Sequence, residues 1–329
     1  MKSISPSQNN ARIKQATLVD LVRQNIIWVV LLITVIVISV VSPVFLTPRN
    51  ILNILRQGSI LGIVAIGMTF AMIGGSFDLS TGATMGLATV IVIQMQPIDI
   101  GKAILSVVVA LVSGLLVGTV NGTLVGRFRT NSVITTIGIQ YAVLGITLIY
   151  TKARHVWVHG MFPPLAALGT GLAGPIPVPV FVFAGTALLG HFLFSQTSFG
   201  RHLYATGGNS DSARLSGIQT ERVRLISFIL SGLGAAIAGI VIAARVQNVD
   251  PSFGIGFEFE ALTAVVLGGT SLFGGRGSIS GTIAGVLLLG VLANAMTLLG
   301  ISIQFQLMTK GIILIIAVAA DIMIRKQRG

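Results

Sequence analysis

The chain has 329 residues, of which 53% are hydrophobic and only 9% are Asp, Glu, Lys or Arg. A soluble domain carries about 25% charged residues, so a water-facing globular enzyme is excluded, and the forty glycines and ten prolines argue against a coiled coil. The formal charge of +12 falls on basic residues that stand singly or in pairs at the ends of apolar runs, without an aromatic-interleaved stripe, which argues against nucleic acid as a partner.

Residues 1–24 are polar and basic (Lys2, Arg12, Lys14, Arg23) and precede an apolar run from Ile26 to Phe45. That run is long enough to span a bilayer and continues into a polar connection instead of a small-residue cut site, so it reads as a retained first helix behind a cytoplasmic tail. Nine further apolar segments follow near 57–74, 80–96, 103–126, 132–150, 177–195, 224–244, 259–274, 279–299 and 306–324. The expectation is an all-α polytopic membrane protein with about ten transmembrane helices, some short or broken by glycine. Residues 25–329 form one membrane domain.

Charge placement sets the orientation. With the N-terminus inside, the tail, the inner loops and the C-terminus hold 14 Lys and Arg; the outer loops hold 6, namely Arg49, Arg56, Lys102, Lys152, Arg154 and Arg245, and Lys310 lies inside the last span. This bias places both termini in the cytoplasm and requires an even number of spans. Two connections are longer than the rest. Residues 151–176, external in this topology, contain His155, Trp157, His159 and three prolines and are expected to cap the membrane surface. Residues 196–223 are cytoplasmic and far too few for an enzyme domain.

Polar residues at membrane depth are costly and therefore informative. Asp78 lies in Gly-Gly-Ser-Phe-Asp-Leu-Ser-Thr-Gly at the break between the second and third helices. It either caps the third helix through the N–H of Ser80 or Thr81 or lines a pathway. Asn121 and Asn294, near the ends of the fourth and ninth helices, suit hydrogen bonds between helices or to a polyol. Lys310 needs a partner or must snorkel outward. Glu258 and Glu260 head the eighth segment, where carboxylates complement the helix dipole. Asp78, Asn121 and Asn294 are the candidate pathway residues. Ser80 to Gly86 and Ser280 to Gly285 resemble each other, each after a Gly-Gly pair, a weak sign of internal duplication.

Catalytic inventories fail. There is no Gly-x-x-x-x-Gly-Lys-Ser/Thr loop, no His-Glu-x-x-His, no Ser-x-x-Lys and no Gly-x-Ser-x-Gly. Cysteine is absent, and the four histidines are scattered without a carboxylate cluster. Isolated carboxylates on separate segments do not make the proton relay of a secondary carrier, although an autonomous carrier or channel for a small polar solute stays open as the alternative.

The stretch Gly200-Arg201-His202-Leu203-Tyr204-Ala205-Thr206-Gly207-Gly208-Asn209, continuing Ala213-Arg214-Leu215-Ser216-Gly217-Ile218, closely resembles the cytoplasmic signature of ribose-type permease subunits of ABC sugar importers. Gly67-Met68-Thr69 with Asp78-Leu79-Ser80, Leu230 to Arg245, and Ala264 to Leu272 with Gly274 to Ser278 agree in the same order. Ser76 stands where glycine is common in that family, and Ala293 precedes Asn294 where paired asparagines are common. The resemblance covers about residues 45–325.

The resemblance implies a non-catalytic, multi-pass subunit of a bacterial cytoplasmic membrane. It would translocate a sugar such as a pentose or hexose, and pair with a second permease subunit as a homo- or heterodimer. Sugar would be delivered by a periplasmic or extracellular binding protein. ATP and Mg would be bound by a cytoplasmic ATPase, leaving this chain without a cofactor or metal. The 196–223 loop is then the ATPase-coupling element, with Gly207, Gly208, Asn209, Asp211, Ala213, Arg214 and Gly217 as its residues. Asn209 to Arg214 can start a short helix capped by Asn209 or Ser210, with Asp211 in its first turn. The small residues suit close approach of a partner, and Arg214 suits a carboxylate on it.

Overall fold

The computed structural model describes residues 26–326, so the expected cytoplasmic tail lies outside the described residues. Every one of the ten apolar segments falls on a helix. The first two are α1 (Ile26–Val41) and α2 (Pro48–Ile73), followed by α3 (Thr81–Gln94), α4 (Ile100–Gly126) and α5 (Ser132–Thr151). A connecting region then holds β1 (Val156–Trp157), α6 (Pro163–Thr170), β2 (Leu172–Ala173) and β3 (Ile176–Pro177). It leads to α7 (Val178–Gln196), the short helices α8 (Ser198–Gly208) and α9 (Ser210–Leu215), and α10 (Thr220–Val246). The chain closes with β4 (Asn248–Val249), α11 (Phe257–Leu267), α12 (Ile279–Leu298) and α13 (Ile303–Lys326).

Local chemistry sets the boundaries. Pro48 starts α2, where its missing N–H is not needed. Asp99 caps α4 by accepting from the Lys102 amide at 2.9 Å, and Ser278 caps α12 by accepting from the Gly281 amide at 3.0 Å. Seven helices (α2, α4, α5, α7, α10, α12 and α13) are long and apolar enough to cross a membrane, whereas α1 and α3 are apolar but shorter. The segment expected at 259–274 differs from expectation. The turn at Gly268 and Gly269 (φ +84° at Gly269) stops the helix at Leu267, leaving 11 residues. At 1.5 Å per residue that is about 16 Å, roughly half a hydrocarbon core.

The core is built on α2, α3 and α10, whose inner faces are almost fully buried. Helix α10 packs most extensively on α4, then on α2 and α3. The α4 contact is a glycine stripe: Gly114, Gly118, Gly122 and Gly126 bring their bare Cα edges onto the backbone of α10, the small-residue approach that packs helices in lipid. In contrast, α1 buries no residue, and α5 and α13 expose most of their apolar side chains.

The connections gather at two ends. At one end the Gly275 amide donates to the Ile73 carbonyl at 2.9 Å, Tyr204 donates its hydroxyl proton to the Gly277 carbonyl at 2.7 Å, and the Phe77 amide donates to Ser132. At the other, β1 pairs antiparallel with β4, the Phe162 amide donates to the Pro97 carbonyl at 2.7 Å, and His155 faces Asp250 at 3.3 Å. The 151–176 region is thus a folded cap on the second end, and α6 lies against α10, with Gly169 beside the Arg245 backbone.

Candidate functional site

At the first end, two consecutive capped helices form the 196–223 loop. The Asn209 side-chain oxygen accepts from the amides of Asp211 at 3.1 Å and Ser212 at 2.9 Å, capping α9 as the sequence suggests. Asp211 sits in the first turn and Arg214 in the last, both complementing the dipole. Gly217, with φ +84°, closes a Schellman turn: its amide donates to the Arg214 carbonyl, and that of Ile218 to the Ala213 carbonyl.

The small residues of this loop are used differently from the expectation that all admit a partner. Gly207 faces inward, where a Cβ would fall on the Ile73 carbonyl oxygen and 2.6 Å from the Gly275 nitrogen. Ala213 is buried within the chain itself. Gly208, Asp211 and Gly217 are exposed, and Arg214 is half-buried, donating to the Thr220 hydroxyl at 3.4 Å. A residue outside the expected set completes the surface. Leu215 is 90% exposed, an unsheltered leucine on a polar helix, beside a shallow cavity of about 360 Å³ that includes Arg214, Ile218 and Glu221. Its apolar character was legible, but its exposure depends on which way α9 turns.

Two of the three candidate pathway residues meet. Asp78 and Asn121 are both buried. Asp78 accepts from the Ser80 amide at 3.1 Å and the Ser80 hydroxyl at 2.6 Å, and Asn121 donates to Ser80 Oγ at 2.8 Å and to Asp78 at 3.4 Å. This knot ties the turn before α3 to α4. Asn294 lies elsewhere, in a reciprocal pair with Asn50 at 2.8 and 2.9 Å that joins α12 to α2.

Asn294 borders a second feature, toward the β1–β4 end. A cavity of about 350 Å³ is lined by Gln57, Arg245, Glu260, Asn294 and Lys310 over an apolar floor. A neighbouring cavity of about 310 Å³ shares Glu260 and Lys310 and is otherwise mostly apolar. Between them Lys310 Nζ meets Glu260 Oε1 at 2.6 Å, with about a third or less of each side chain exposed. Lys310 therefore has its partner, and Glu260 does more than complement a dipole. Glu258, by contrast, is fully enclosed and accepts from Gln140 at 2.7 Å and from the Gly256 amide, fixing the start of α11. Among the described residues no group of three or more His, Asp or Glu is arranged to hold a metal ion.

Residues 50–318 match a family described as branched-chain amino acid transport system / permease component. The chain is 35% identical to the ribose import permease protein of Haemophilus influenzae, over 89% of this chain and 91% of that one. It is 39% identical to the ribose import permease protein of Bacillus subtilis, over 88% and 90%. It is also 35% identical to the L-arabinose transport system permease protein of Escherichia coli, over 98% and 97%. No solved structure matches.

Proposed function

The chain belongs to the branched-chain amino acid transport system / permease component family, and on that premise we propose that it is the membrane-spanning permease subunit of an ATP-binding-cassette importer for a sugar or similar polyhydroxylated solute. The names of the ribose and arabinose relatives support the solute class. Ten membrane-embedded helices with both termini in the cytoplasm are the matching topology. The gathering of connections at two ends supports it: 74–80, 127–131, 197–219 and 268–278 meet at one end, and 95–99, 152–177 and 247–256 at the other.

In this reading the chain itself carries no cofactor and catalyses no reaction. A cytoplasmic ATPase binds ATP and Mg, a second permease copy or relative completes the pathway, and a binding protein delivers the solute outside the bacterial inner membrane. The observation that carries the reading is α9, a capped helix that presents Leu215 and Asp211 to solvent. An amphipathic helix laid in a partner's groove is a recurrent recognition mode. The test is reconstitution in vesicles with a candidate ATPase and sugar-binding protein from the same genome. ATP-dependent uptake of labelled ribose or arabinose is the expected result. Gradient-driven flux by this chain alone overturns the proposal and favours a secondary carrier or channel.

A further inference from the structure

Three of the six outer basic residues, exceptions to the inward bias of positive charge, line neighbouring depressions. Arg56 and Arg49 border one open depression at the start of α2 together with Asn50 and Asn53. Arg245, at the end of α10, lines the adjoining cavity with Gln57, Asn294 and the Glu260–Lys310 pair. Helices α2 and α10 run antiparallel, with Gly67 against Ser231 and Gly234 against Gly67 and Ile63, a register that puts Arg245 level with Arg56, whose neighbour Gln57 shares its cavity. Glu260 is the single carboxylate lining these cavities and is already held by Lys310. Among the described residues neither Arg56 nor Arg245 has a carboxylate within ion-pair distance, and the buried Nε of Arg56 has no hydrogen-bond partner. Two adjacent, half-buried, uncompensated guanidiniums are unfavourable without an anion to share.

We propose that this mouth is a binding site for the anionic group of a small polyhydroxylated solute, a carboxylate or phosphate held by Arg56 and Arg245. Gln57 and Asn294 stand where its hydroxyls would be, and their amides both donate and accept hydrogen bonds. Guanidinium is suited to this because its fork matches a carboxylate or phosphate in two parallel bonds. The cavity that Arg245 lines with Gln57, the residue after Arg56, holds about 350 Å³, in the range of small-molecule sites. The inference rests on the permease reading and departs from the relatives' named sugars in the charge of the solute.

The experiment uses the full chain in phosphatidylcholine nanodiscs and equilibrium dialysis with labelled D-ribose, D-ribonate and D-ribose 5-phosphate. At low salt at least one of the two anionic probes binds about tenfold more tightly than ribose, a difference that shrinks as salt rises. Whether ribonate or the phosphate is preferred identifies the anionic group. R56Q and R245Q each remove the preference, R245K retains part of it, and R127Q, in the 127–131 connection at the opposite end, leaves it intact. Size-exclusion profiles show which variants are folded. Equal binding of all three probes, no binding of any, or a preference that survives R56Q/R245Q overturns the proposal. Binding of the ATPase to the opposite end, measured separately, reports on the permease reading alone.

Discussion

Gly207→Ala tests whether three inner loops are locked together by glycine. Gly207 ends α8 with its bare Cα edge against the Ile73 carbonyl and the Gly275 amide, which are themselves hydrogen-bonded at 2.9 Å. A methyl group there would lie 2.6 Å from the Gly275 nitrogen, whereas carbon contacts settle near 3.5–4.0 Å. Helix α8 must withdraw by about 1 Å, and the obstacle is backbone, which cannot rotate away. Overpacking of this kind costs about 1–3 kcal/mol, and stretching the Ile73–Gly275 bond adds about 1 kcal/mol. Alanine returns about 1 kcal/mol through its helix propensity. The net loss is about 1–3 kcal/mol, a fall in melting temperature of roughly 2–10 °C by the scaling for large domains. Gly208→Ala is the matched control, since a Cβ at Gly208 meets nothing within 4 Å. Thermal unfolding of the detergent-solubilised chain, followed by intrinsic fluorescence, compares the two. If Gly207→Ala melts with Gly208→Ala, the glycine lock is wrong.

Four further outcomes follow from particular contacts. Asn209→Ala removes the cap of α9 at about 1 kcal/mol, so protease nicking between residues 210 and 217 accelerates and ATPase co-purification falls. Leu215→Asp leaves the melting temperature unchanged because the side chain is 90% exposed, yet ATPase capture drops about tenfold as an interface anchor is lost; normal capture would remove α9 from the coupling surface. Lys310→Met strands Glu260 in a half-buried site and destabilises by about 1–2 kcal/mol, below the range for fully buried pairs, while Glu260→Gln/Lys310→Met recovers most of that loss in a double-mutant cycle. Asp250, outside the membrane-spanning helices, accepts hydrogen bonds from the Ser252 hydroxyl and amide and faces His155, which together hold its carboxyl below the usual aspartate range. A depressed native pKa stabilises above the unfolded value and the contribution is lost as pH falls toward the native one. Trp157 fluorescence on the paired β1 strand therefore shifts in acid, below the ordinary aspartate pKa, and Asp250→Asn flattens that transition.

The helices were legible because hydropathy over about 20 residues is a one-dimensional signal, and all ten apolar segments are helical. The length of α11 was less so, since the turn at Gly268 and Gly269 had to be weighed against the apolar Ala264 to Leu267 that precede it. Cap chemistry at Asn209 was readable because an N-cap and its amides lie within three residues. Partners across the fold were not. Asn50 and Asn294 are 244 positions apart, and Gln140 and Glu258 are 118 apart; single polar residues in apolar runs announce that a partner exists without naming it. Gly207 shows the same limit. Its smallness was correctly taken as a sign of close approach, but the approaching backbone is that of this chain. The outer arginines were visible as exceptions to the charge bias, and only the fold shows that two of them converge.

Helix α10 connects the two ends. Its 27 residues give about 40 Å of rigid element. Its first turn carries Thr220, which accepts from Arg214 of the 196–223 loop, and Glu221, which faces Arg129 at 3.8 Å. Its last turn carries Arg245 in the outer cavity. Along its length it lies glycine-to-backbone against α4 and α2, at Gly232 on Gly114 and Gly234 on Gly67, contacts without flexible side chains to absorb a shift. In the proposed importer, a push on α9 reaches Arg245 as movement of a whole helix, because close-packed interiors transmit strain instead of damping it. Asp78 is knotted into the packing beside α10. Its knot with Ser80 and Asn121 fastens α3 to α4 beside α10, and none of the cavities described above touches it. In the proposed importer, the solute contacts lie at the Arg245 end and the transmission contacts at the α9 end, joined by one helix.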